Sequence, residues 1–545
     1  MLSPNKIFIM KRITILFILL IPSSFLFSQN LQLTWQQCYG GSESDAAFDI
    51  IEIQDGYLII GNTESDDGDI YLNHGAEDGW LIKTDTHGLL IWEKSFGGTK
   101  GDGFRKILKC HDNNYYLIGG SNSSDGDISF DPYPNTLDYW IVKIDSIGSI
   151  IWEMITGGNG HDQIWTGTLT DDGGVLAFGW TGSSDGDVSD YYGLYDMWMV
   201  KIDSSGDKEW DFTIGTSGMD VGQAIIQTSD GGYLVGGSSR MNEGGNLICE
   251  PYSFEAEAIL VKLDSNRNIE WQQCYGGSGD EGITGLREIE QGYIFVAYTE
   301  SNDGDVSGFH GLPYEGMVDI WVVKVDNWGN IIWQKCLGGS RSEFVSEIII
   351  TEDENIIIPG ITQSNDGDVL GNHTLSEHDF DIWVVKLSDE GDLLWQQCIG
   401  GLGNEKLDYG IIKKSDNNFV ISGQTDYGPS FDVECTPHPG VINYPDFWVF
   451  EIQDTTSVGL NEILNKNAEF LVYPNPAKDY VVFERKEYPT TGKIQIVNVF
   501  GEEIETLFVK PEKTVWDTRQ IKSGIYFYKM ELDGKFVSGR ILIIN

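Results

Sequence analysis

We predict an all-β protein for this chain of 545 residues, because one unit recurs along it and that unit has the pattern of short strands. Seven tryptophans mark the repeat, at spacings of 57, 60, 58, 61, 62 and 62 residues: Trp35, Trp92, Trp152, Trp210, Trp271, Trp333 and Trp395. The repeats consist of short β-branched and aromatic runs bounded by Gly, Asp and Asn, without the apolar period of an α-helix.

Each unit contains four predicted strands. In the sixth unit we expect them at residues 345–351, 355–362, 381–387 and 392–398. Four strands in each of seven units of about 60 residues are typical of a β-propeller. The sequence therefore predicts a seven-bladed β-propeller over residues 30–455.

The two ends of this region predict how the ring closes. The seventh unit stops after residues 446–453, without a following tryptophan strand, whereas residues 33–38 form a tryptophan strand with no unit before it. We expect this N-terminal strand to complete the last blade, because closure removes an open sheet edge.

Charge excludes two classes of partner. The chain has 35 basic and 84 acidic residues and a net charge of −49, while 40% of its residues are hydrophobic, enough to bury a core. Nucleic acids and anionic membrane surfaces both require Lys and Arg, so we expect neither as a partner. From residue 461 onward the charges balance at 12 basic and 12 acidic residues, so the excess negative charge lies on the predicted propeller.

The N-terminus has the pattern of a secretory signal peptide, which we assign to residues 1–29. Lys6, Lys11 and Arg12 precede an apolar run at residues 13–21, and small polar residues follow it. The run is shorter than the ~20 residues of a membrane-spanning helix. We expect cleavage near Ser28 or Gln29 and no membrane span in the mature chain.

The hairpin between the third and fourth predicted strands shows a family-like pattern. Asp326-Asn-Trp-Gly-Asn-Ile-Ile-Trp333 and its counterparts at 145–152 and 203–210 share Asp-x-x-Gly-x-x-x-Trp. The pattern resembles the tryptophan-docking motif of quinoprotein propellers and, loosely, the Asp-box of sialidases. In both families the element is structural, so the resemblance implies a turn and a packing tryptophan, without either family's chemistry.

The C-terminal residues resemble the type A sorting domain of the Bacteroidota type IX secretion system. The resemblance rests on Val472-Tyr-Pro-Asn-Pro, on Asn498-Val-Phe-Gly501 and on Ser523-Gly-Ile-Tyr-Phe-Tyr528, in that order. It implies a small C-terminal β-sandwich at residues 467–545 after a linker at 456–466. It also implies recognition by the outer-membrane translocon, and a protein that is secreted or held at the cell surface.

An acidic Asp-Gly-Asp loop recurs in five units and is a candidate calcium site. Closely spaced carboxylates around a glycine suit a hard cation, although the distant bidentate Glu of a full calcium loop is absent. An Asp-Gly turn that caps loop amides explains the same residues. The candidate ligands are Asp67, Asp69, Asp125, Asp127, Asp185, Asp187, Asp303, Asp305, Asp366 and Asp368.

After this loop the units diverge and become rich in aromatic residues and histidine. We expect these segments and the Gly-Gly-Ser turns between units to emerge on one face of the ring, where variable loops commonly bind ligands. Loops that vary because nothing constrains them are the alternative. The candidate ligand-binding residues are Tyr71, His74, Tyr133, Tyr191, Tyr192, His310, Tyr314, His373, His378, His438 and Tyr444.

The cysteines predict little covalent bracing. Cys38, Cys274, Cys336 and Cys398 occupy the same strand position in different units, too far apart for bridges among themselves, and we interpret them as small buried residues. Cys249 and Cys435 stand singly in the two loops that lack the acidic motif, so neither loop can form a bridge within itself. The odd total of seven excludes complete pairing.

Catalysis has no motif in its favour: there is no nucleophile elbow, zinc-binding helix or P-loop. We therefore expect an exported, non-catalytic binding or adhesion protein whose loop face engages glycan or protein, with no certain cofactor and calcium as the candidate. The alternatives are an extracellular polysaccharide-active enzyme and a passive surface scaffold.

Overall fold

A computed structural model gives the positions of most residues between 31 and 543. It describes residues 31–240, 243–311, 316–345, 347–374, 376, 378–437, 444–455, 470–473, 477–478, 480–485, 492–498, 503–509, 513–522, 524–532 and 535–543. The predicted signal peptide, the predicted linker, Tyr314 and His438 lie outside these residues. Every regular secondary-structure element assigned within the described residues is a β-strand. This part of the chain contains no helix with the length and apolar character that crossing a membrane requires.

Residues 31–454 form seven antiparallel sheets, which we number along the chain; six have four strands, and the sixth has five because its first strand is divided in two. Sheet 1 consists of β2 (Asp45–Ile53), β3 (Gly56–Thr63), β4 (Asp78–Thr84) and β5 (Leu90–Phe96). Sheet 2 consists of β6 (Asp102–Lys109), β7 (Tyr115–Ser121), β8 (Asp138–Ile144) and β9 (Ile150–Thr156). Sheet 3 consists of β10 (Asp162–Leu169), β11 (Val175–Thr181), β12 (Asp196–Ile202) and β13 (Lys208–Ile214).

The next sheets repeat this order of strands. Sheet 4 consists of β14 (Met219–Gln227), β15 (Tyr233–Arg240), β16 (Glu257–Leu263) and β17 (Ile269–Tyr275). Sheet 5 consists of β18 (Glu281–Ile289), β19 (Gly292–Thr299), β20 (Asp319–Val325) and β21 (Ile331–Leu337). Sheet 6 consists of β22 (Glu343–Val345), β23 (Ile349–Ile350), β24 (Ile356–Thr362), β25 (Asp381–Leu387) and β26 (Leu393–Ile399). The strand expected at 345–351 is thus two short strands, both paired with β24.

Sheet 7 joins the two ends of this region. It consists of β27 (Ile411–Ser415), β28 (Asn418–Thr425), β29 (Asp446–Asp454) and β1 (Leu31–Tyr39). β1 pairs antiparallel with β29, and Leu31 lies opposite Asp454. The N-terminal tryptophan strand therefore takes the fourth position of the last sheet, as the sequence predicts.

Apolar residues bind each sheet to its neighbour. The clusters of buried residues combine side chains from consecutive sheets: Leu117 and Trp140 of sheet 2, for example, pack with Leu58 and Leu81 of sheet 1. Another cluster combines sheets 7 and 1, where the rings of Trp80 and Phe447 lie 4.6 Å apart. Burial of such side chains stabilises the fold by roughly 1.5–3 kcal/mol each.

The C-terminal residues form a separate all-β part. One sheet consists of β30 (Phe470–Tyr473), β31 (Tyr480–Arg485) and β34 (Lys513–Asp517), and the other of β32 (Gly492–Asn498), β33 (Glu503–Phe508), β35 (Gly524–Leu532) and β36 (Lys535–Ile543). Both sheets contribute to one cluster of buried residues, in which the rings of Phe483 and Tyr528 lie 5.3 Å apart.

Candidate functional site

The acidic loops bind the junction turns, which are the Gly-Gly turns between one sheet and the next. In sheet 1 Oδ1 of Asp67 accepts a hydrogen bond from the Ser42 amide at 2.8 Å. The amide of Asp69 donates to the Gly40 carbonyl at 2.9 Å, and Oδ2 of Asp69 accepts from the Gly40 amide at 3.2 Å. Loop and turn thus lie at the same end of the sheets, as expected for a single loop face.

The same pairing of loop and turn recurs at the other four motifs. The first carboxylate of each accepts a turn amide, and the amide of the second donates to the first glycine carbonyl: Asp125 and Asp127, Asp185 and Asp187, Asp303 and Asp305, Asp366 and Asp368. The intervening glycine has a positive φ, +71° at Gly68, where a Cβ would lie 2.3 Å from the Gly40 carbonyl oxygen. A side chain at this position would therefore separate loop from turn.

No cation is needed to explain these contacts, since backbone amides satisfy the carboxylates. The described residues contain no group of three or more His, Cys, Asp or Glu side chains placed to hold a metal ion. Calcium binding by the ten aspartates remains a prediction, and thermal unfolding with and without a chelator would test it.

Disulfides support the two loops that lack the motif. Cys249 pairs with Cys274 and Cys435 pairs with Cys38, each with its Cα atoms 5.7 Å apart. The prediction that Cys38 and Cys274 are unpaired small residues was therefore wrong. The prediction considered only bridges between cysteines of different sheets. In the structure the fourth strand of a sheet lies beside the loop between the second and third strands of that sheet, so each bridge forms within one sheet and its loop. Cys336 and Cys398 are buried free thiols, as expected.

Two carboxyl groups from consecutive sheets meet at each junction turn. Asp138 begins β8, Asp162 begins β10, and both are buried. A Cβ on Gly157, between these sheets, would lie 2.0 Å from Oδ1 of Asp138 and 2.6 Å from Oδ2 of Asp162. The corresponding pairs are Asp78 with Asp102, Asp196 with Asp220, Glu257 with Glu281, Asp319 with Glu343, Asp381 with Glu405 and Asp446 with Asp45.

Burial and the neighbouring carboxylate favour the protonated form of one acid in two of these pairs, Asp138 and Glu257. Burial raises the pKa of Asp138 to about 8, and the pKa of Glu257 to about 7. Burial also raises the pKa of Asp162. This carboxyl group accepts hydrogen bonds from the hydroxyls of Thr181 and Ser183 and, at 2.8 Å, from the Gly158 amide. The pairs have the shifted pKa values of acid–base catalysts, yet they are closed to solvent and hold turns in place.

Three of the predicted ligand-binding histidines each contact a carboxyl group of their own sheet and one of the next sheet. Nδ1 of His310 lies 2.7 Å from Asp319, and Nε2 lies 3.6 Å from Asp368 in the acidic loop of the next sheet. The hydrogen bond to Asp319 raises the pKa of His310. The same arrangement joins His74 to Asp78 and Asp127, and His373 to Asp381 and Asp432.

The other predicted aromatic residues also serve their own loops. Burial and the Asp187 carboxylate of the next sheet raise the pKa of Tyr133. The Tyr191 hydroxyl donates to the Leu194 carbonyl at 3.0 Å, and the Tyr192 amide donates to Asp196 at 2.6 Å. The Tyr71, His378 and Tyr444 side chains are exposed. The predicted ligand-binding residues therefore lie in the loops of different sheets. Those that form hydrogen bonds form them within their own loop or with the adjacent sheet junction.

A pocket of about 240 Å³ opens where sheets 1, 2 and 3 begin. Its lining residues include Asn62, Asn122, Gln163, Glu77, Phe48 and Arg105. Asn62 donates to Glu77 at 2.8 Å and so fixes the direction of that carboxylate.

β-Bulges bring three of its surrounding side chains together. The first strands of sheets 1, 2 and 3 each shift register around one extra residue: Phe48, Arg105 and Trp165 respectively. The Arg105 guanidinium lies 4.5 Å from the centre of the Phe48 ring and 4.9 Å from that of Trp165. Sequence reasoning missed this pocket because it looked only at loops. The sequence signal for it was the bulged position of the first strand, where the residue type changes from repeat to repeat: Phe48, Arg105 and Trp165.

Comparison with known proteins places the C-terminal part of the chain in a family. Residues 471–545 match the family model described as secretion system C-terminal sorting domain. Regulatory protein FlaEY of Caulobacter vibrioides is 24% identical over 251 residues, which cover 44% of this chain and 26% of that protein. The match therefore spans about a quarter of the length of this curated relative.

Two solved structures resemble the chain at low identity. PorZ, a surface component of the type-IX secretion system of Porphyromonas gingivalis, has a TM-score of 0.38 and 10% identity, over 93% of this chain and 60% of that chain. Drosophila Plexin A, solved with Semaphorin 1b, has a TM-score of 0.39 and 8% identity, over 77% of this chain and 87% of that chain. The sorting-domain match shows that this chain carries the C-terminal sorting domain of the type IX secretion system and is exported to the cell surface or the extracellular space.

Proposed function

We propose that sheets 1 to 7 are the blades of one closed seven-bladed propeller, and that the two C-terminal sheets form a sandwich. The support for the ring is the pairing of β1 with β29 and the packing of sheet 7 on sheet 1. The support for the sandwich is the single cluster of buried residues to which both C-terminal sheets contribute.

The propeller is proposed to be a non-catalytic binding module that recognises glycans on its loop face. The observation that carries this proposal is the pocket of Asn62, Glu77, Asn122 and Gln163 beside Phe48. Amides and carboxylates bond sugar hydroxyls, and an aromatic ring packs on the apolar face of a sugar ring. Within the described residues the Gln163 side chain makes no hydrogen bond, so its amide is available to a ligand.

The carboxylate pairs favour binding over hydrolysis. A glycoside hydrolase needs two carboxyl groups that reach the same substrate. The pairs with raised pKa values, such as Asp138 and Asp162, are closed to solvent and bonded to turns. A polysaccharide-active enzyme is the alternative function. Hydrolysis of a polysaccharide that one carboxylate substitution abolishes would support it.

The test is binding of the exported protein to a broad glycan array. We expect binding that Gln163→Ala weakens and that Gln291→Ala, a change in the hairpin at the opposite end of the sheets, leaves unchanged. A blank array with correctly folded protein would contradict glycan recognition and favour a protein partner or a scaffold role.

A further inference from the structure

Arg105 forms no ion pair with any residue that the structure describes, although the chain has a large excess of acids. Within the described residues its guanidinium makes neither a hydrogen bond nor an ion pair. The neighbouring Lys106 lies 3.3 Å from Asp49, and Arg287 lies 2.6 Å from Glu347. The Asp408 carboxylate is close enough for its charge to interact with that of Arg105. The two side chains do not form an ion pair, because their charged atoms lie more than 4 Å apart. An unpaired guanidinium in such a protein can receive an anion from outside.

The two aromatic rings hold this guanidinium in place. Phe48 and Trp165 flank it at 4.5 and 4.9 Å, so stacking fixes its orientation. A guanidinium fixed in this way loses little side-chain entropy when it binds a carboxylate through two parallel hydrogen bonds. The pocket wall beside it is polar, with Gln163, Asn122 and Glu77.

We propose that the pocket binds an acidic sugar, with the sugar carboxylate on Arg105. The inference rests on the proposed glycan recognition and names its ligand class: a hexuronic acid residue within a glycan. The hydroxyl groups of such a ring can donate to Glu77 and bond the amides of Gln163 and Asn122. Glu77 would repel a ligand carboxylate, so the acid group lies at the Arg105 end of the pocket. The volume of about 240 Å³ suits a single sugar ring.

The experiment compares acidic oligosaccharides with their neutral esters. Oligomers of galacturonic acid and of glucuronic acid, and the same oligomers methyl-esterified at the carboxyl group, are titrated calorimetrically into the full exported chain. We expect the acids to bind at least about tenfold more tightly than the esters, as the loss of a charge-assisted pair implies. This ratio is measured on the wild-type protein and does not depend on a variant folding.

Two variants then locate the effect. Arg105→Gln should abolish the preference for acid over ester, and Arg105→Lys should retain only part of it. Arg267→Gln is the matched control, because Arg267 stacks on Trp210 at 4.7 Å at the opposite end of the sheets. Equal binding of acid and ester, or an acid preference that survives Arg105→Gln, would overturn the inference and leave glycan recognition standing. Absence of binding to every glycan, acidic or neutral, would remove both.

Discussion

The carboxyl groups of Asp138 and Asp162, which belong to different sheets, meet at the buried turn between them, where a Cβ on Gly157 would lie 2.0 Å from Oδ1 of Asp138 and 2.6 Å from Oδ2 of Asp162. Asp162 also accepts the amide of Gly158 and the hydroxyls of Thr181 and Ser183. Because two adjacent carboxylates cannot both be ionised at low cost in a buried site, the pair retains one proton. Each sheet junction has two carboxyl groups in the equivalent position, and at the junction of Asp138 and Asp162 protonation is coupled to the contact between sheets.

We predict that the free energy of unfolding falls as the pH rises from about 4 to 8. The pKa of Asp138 is raised to about 8, and that of Glu405 also to about 8, by burial, whereas unfolded carboxyls titrate near 4. Between these values the folded state binds more protons than the unfolded state. The stabilisation is therefore complete below the unfolded pKa and is lost as the pH passes the folded pKa. Thermal unfolding at pH 5, 6, 7 and 8 measures it.

The Asp138→Asn variant isolates one pair. Asparagine resembles the protonated acid, so this variant should show a shallower loss of stability toward pH 8 than the wild type. Asp171→Asn, at an exposed position, is the control and should keep the wild-type slope. A stability that rises between pH 5 and 8 would contradict the assignment of protonated pairs.

We predict that Gly157→Ala lowers the free energy of unfolding by at least about 2 kcal/mol. A Cβ at this position would lie 2.0 Å from Oδ1 of Asp138, and the turn would have to move away from both carboxyl groups. Gly428→Ala is the matched control, because its Cβ would meet no atom within 4 Å, and we expect a change within about 0.5 kcal/mol. Denaturant unfolding measures both. Equal effects would mean that the carboxyl pair does not restrict the turn.

The repeat made the strands predictable, whereas the pocket depends on contacts between repeats. Regular Trp spacing and β-branched runs identify the sheets and the role of residues 33–38, because strand pattern is a local property. The meeting of Arg105 with Phe48 and Trp165 was not predictable in this way, since it follows from bulges in three different sheets. Likewise, one residue type in a loop does not reveal that His310 bonds Asp319 and approaches Asp368 of the next sheet.

We predict that the imidazole of His310 titrates above its usual value near 6.5 and that Asp319→Asn lowers its pKa. The hydrogen bond from Nδ1 to Asp319 at 2.7 Å favours the imidazolium. A raised histidine pKa stabilises the fold below the unfolded value and loses this effect as the pH rises through the folded value. Nuclear magnetic resonance titration of the His310 ring protons measures the pKa directly. An unchanged pKa in the Asp319→Asn variant would exclude this carboxylate as the cause.

We predict that the two disulfides differ in how much they stabilise the fold. The Cys38–Cys435 bridge closes a chain segment of 397 residues, and the Cys249–Cys274 bridge closes one of 25 residues. A bridge lowers the entropy of the unfolded chain more when its loop is longer. Loss of the first should therefore cost about 2 kcal/mol more than loss of the second.

The double variants Cys38→Ala/Cys435→Ala and Cys249→Ala/Cys274→Ala, compared by denaturant unfolding, measure this difference without leaving a free partner thiol. The first bridge also joins β1 to the loop before β29, so its loss should expose the N-terminal strand to proteases before the other strands of sheets 1 to 7. The quadruple variant is the control, because a reductant should no longer change its stability. If the two double variants lose equal stability, then the long bridge does not restrict the unfolded chain beyond what the short bridge does.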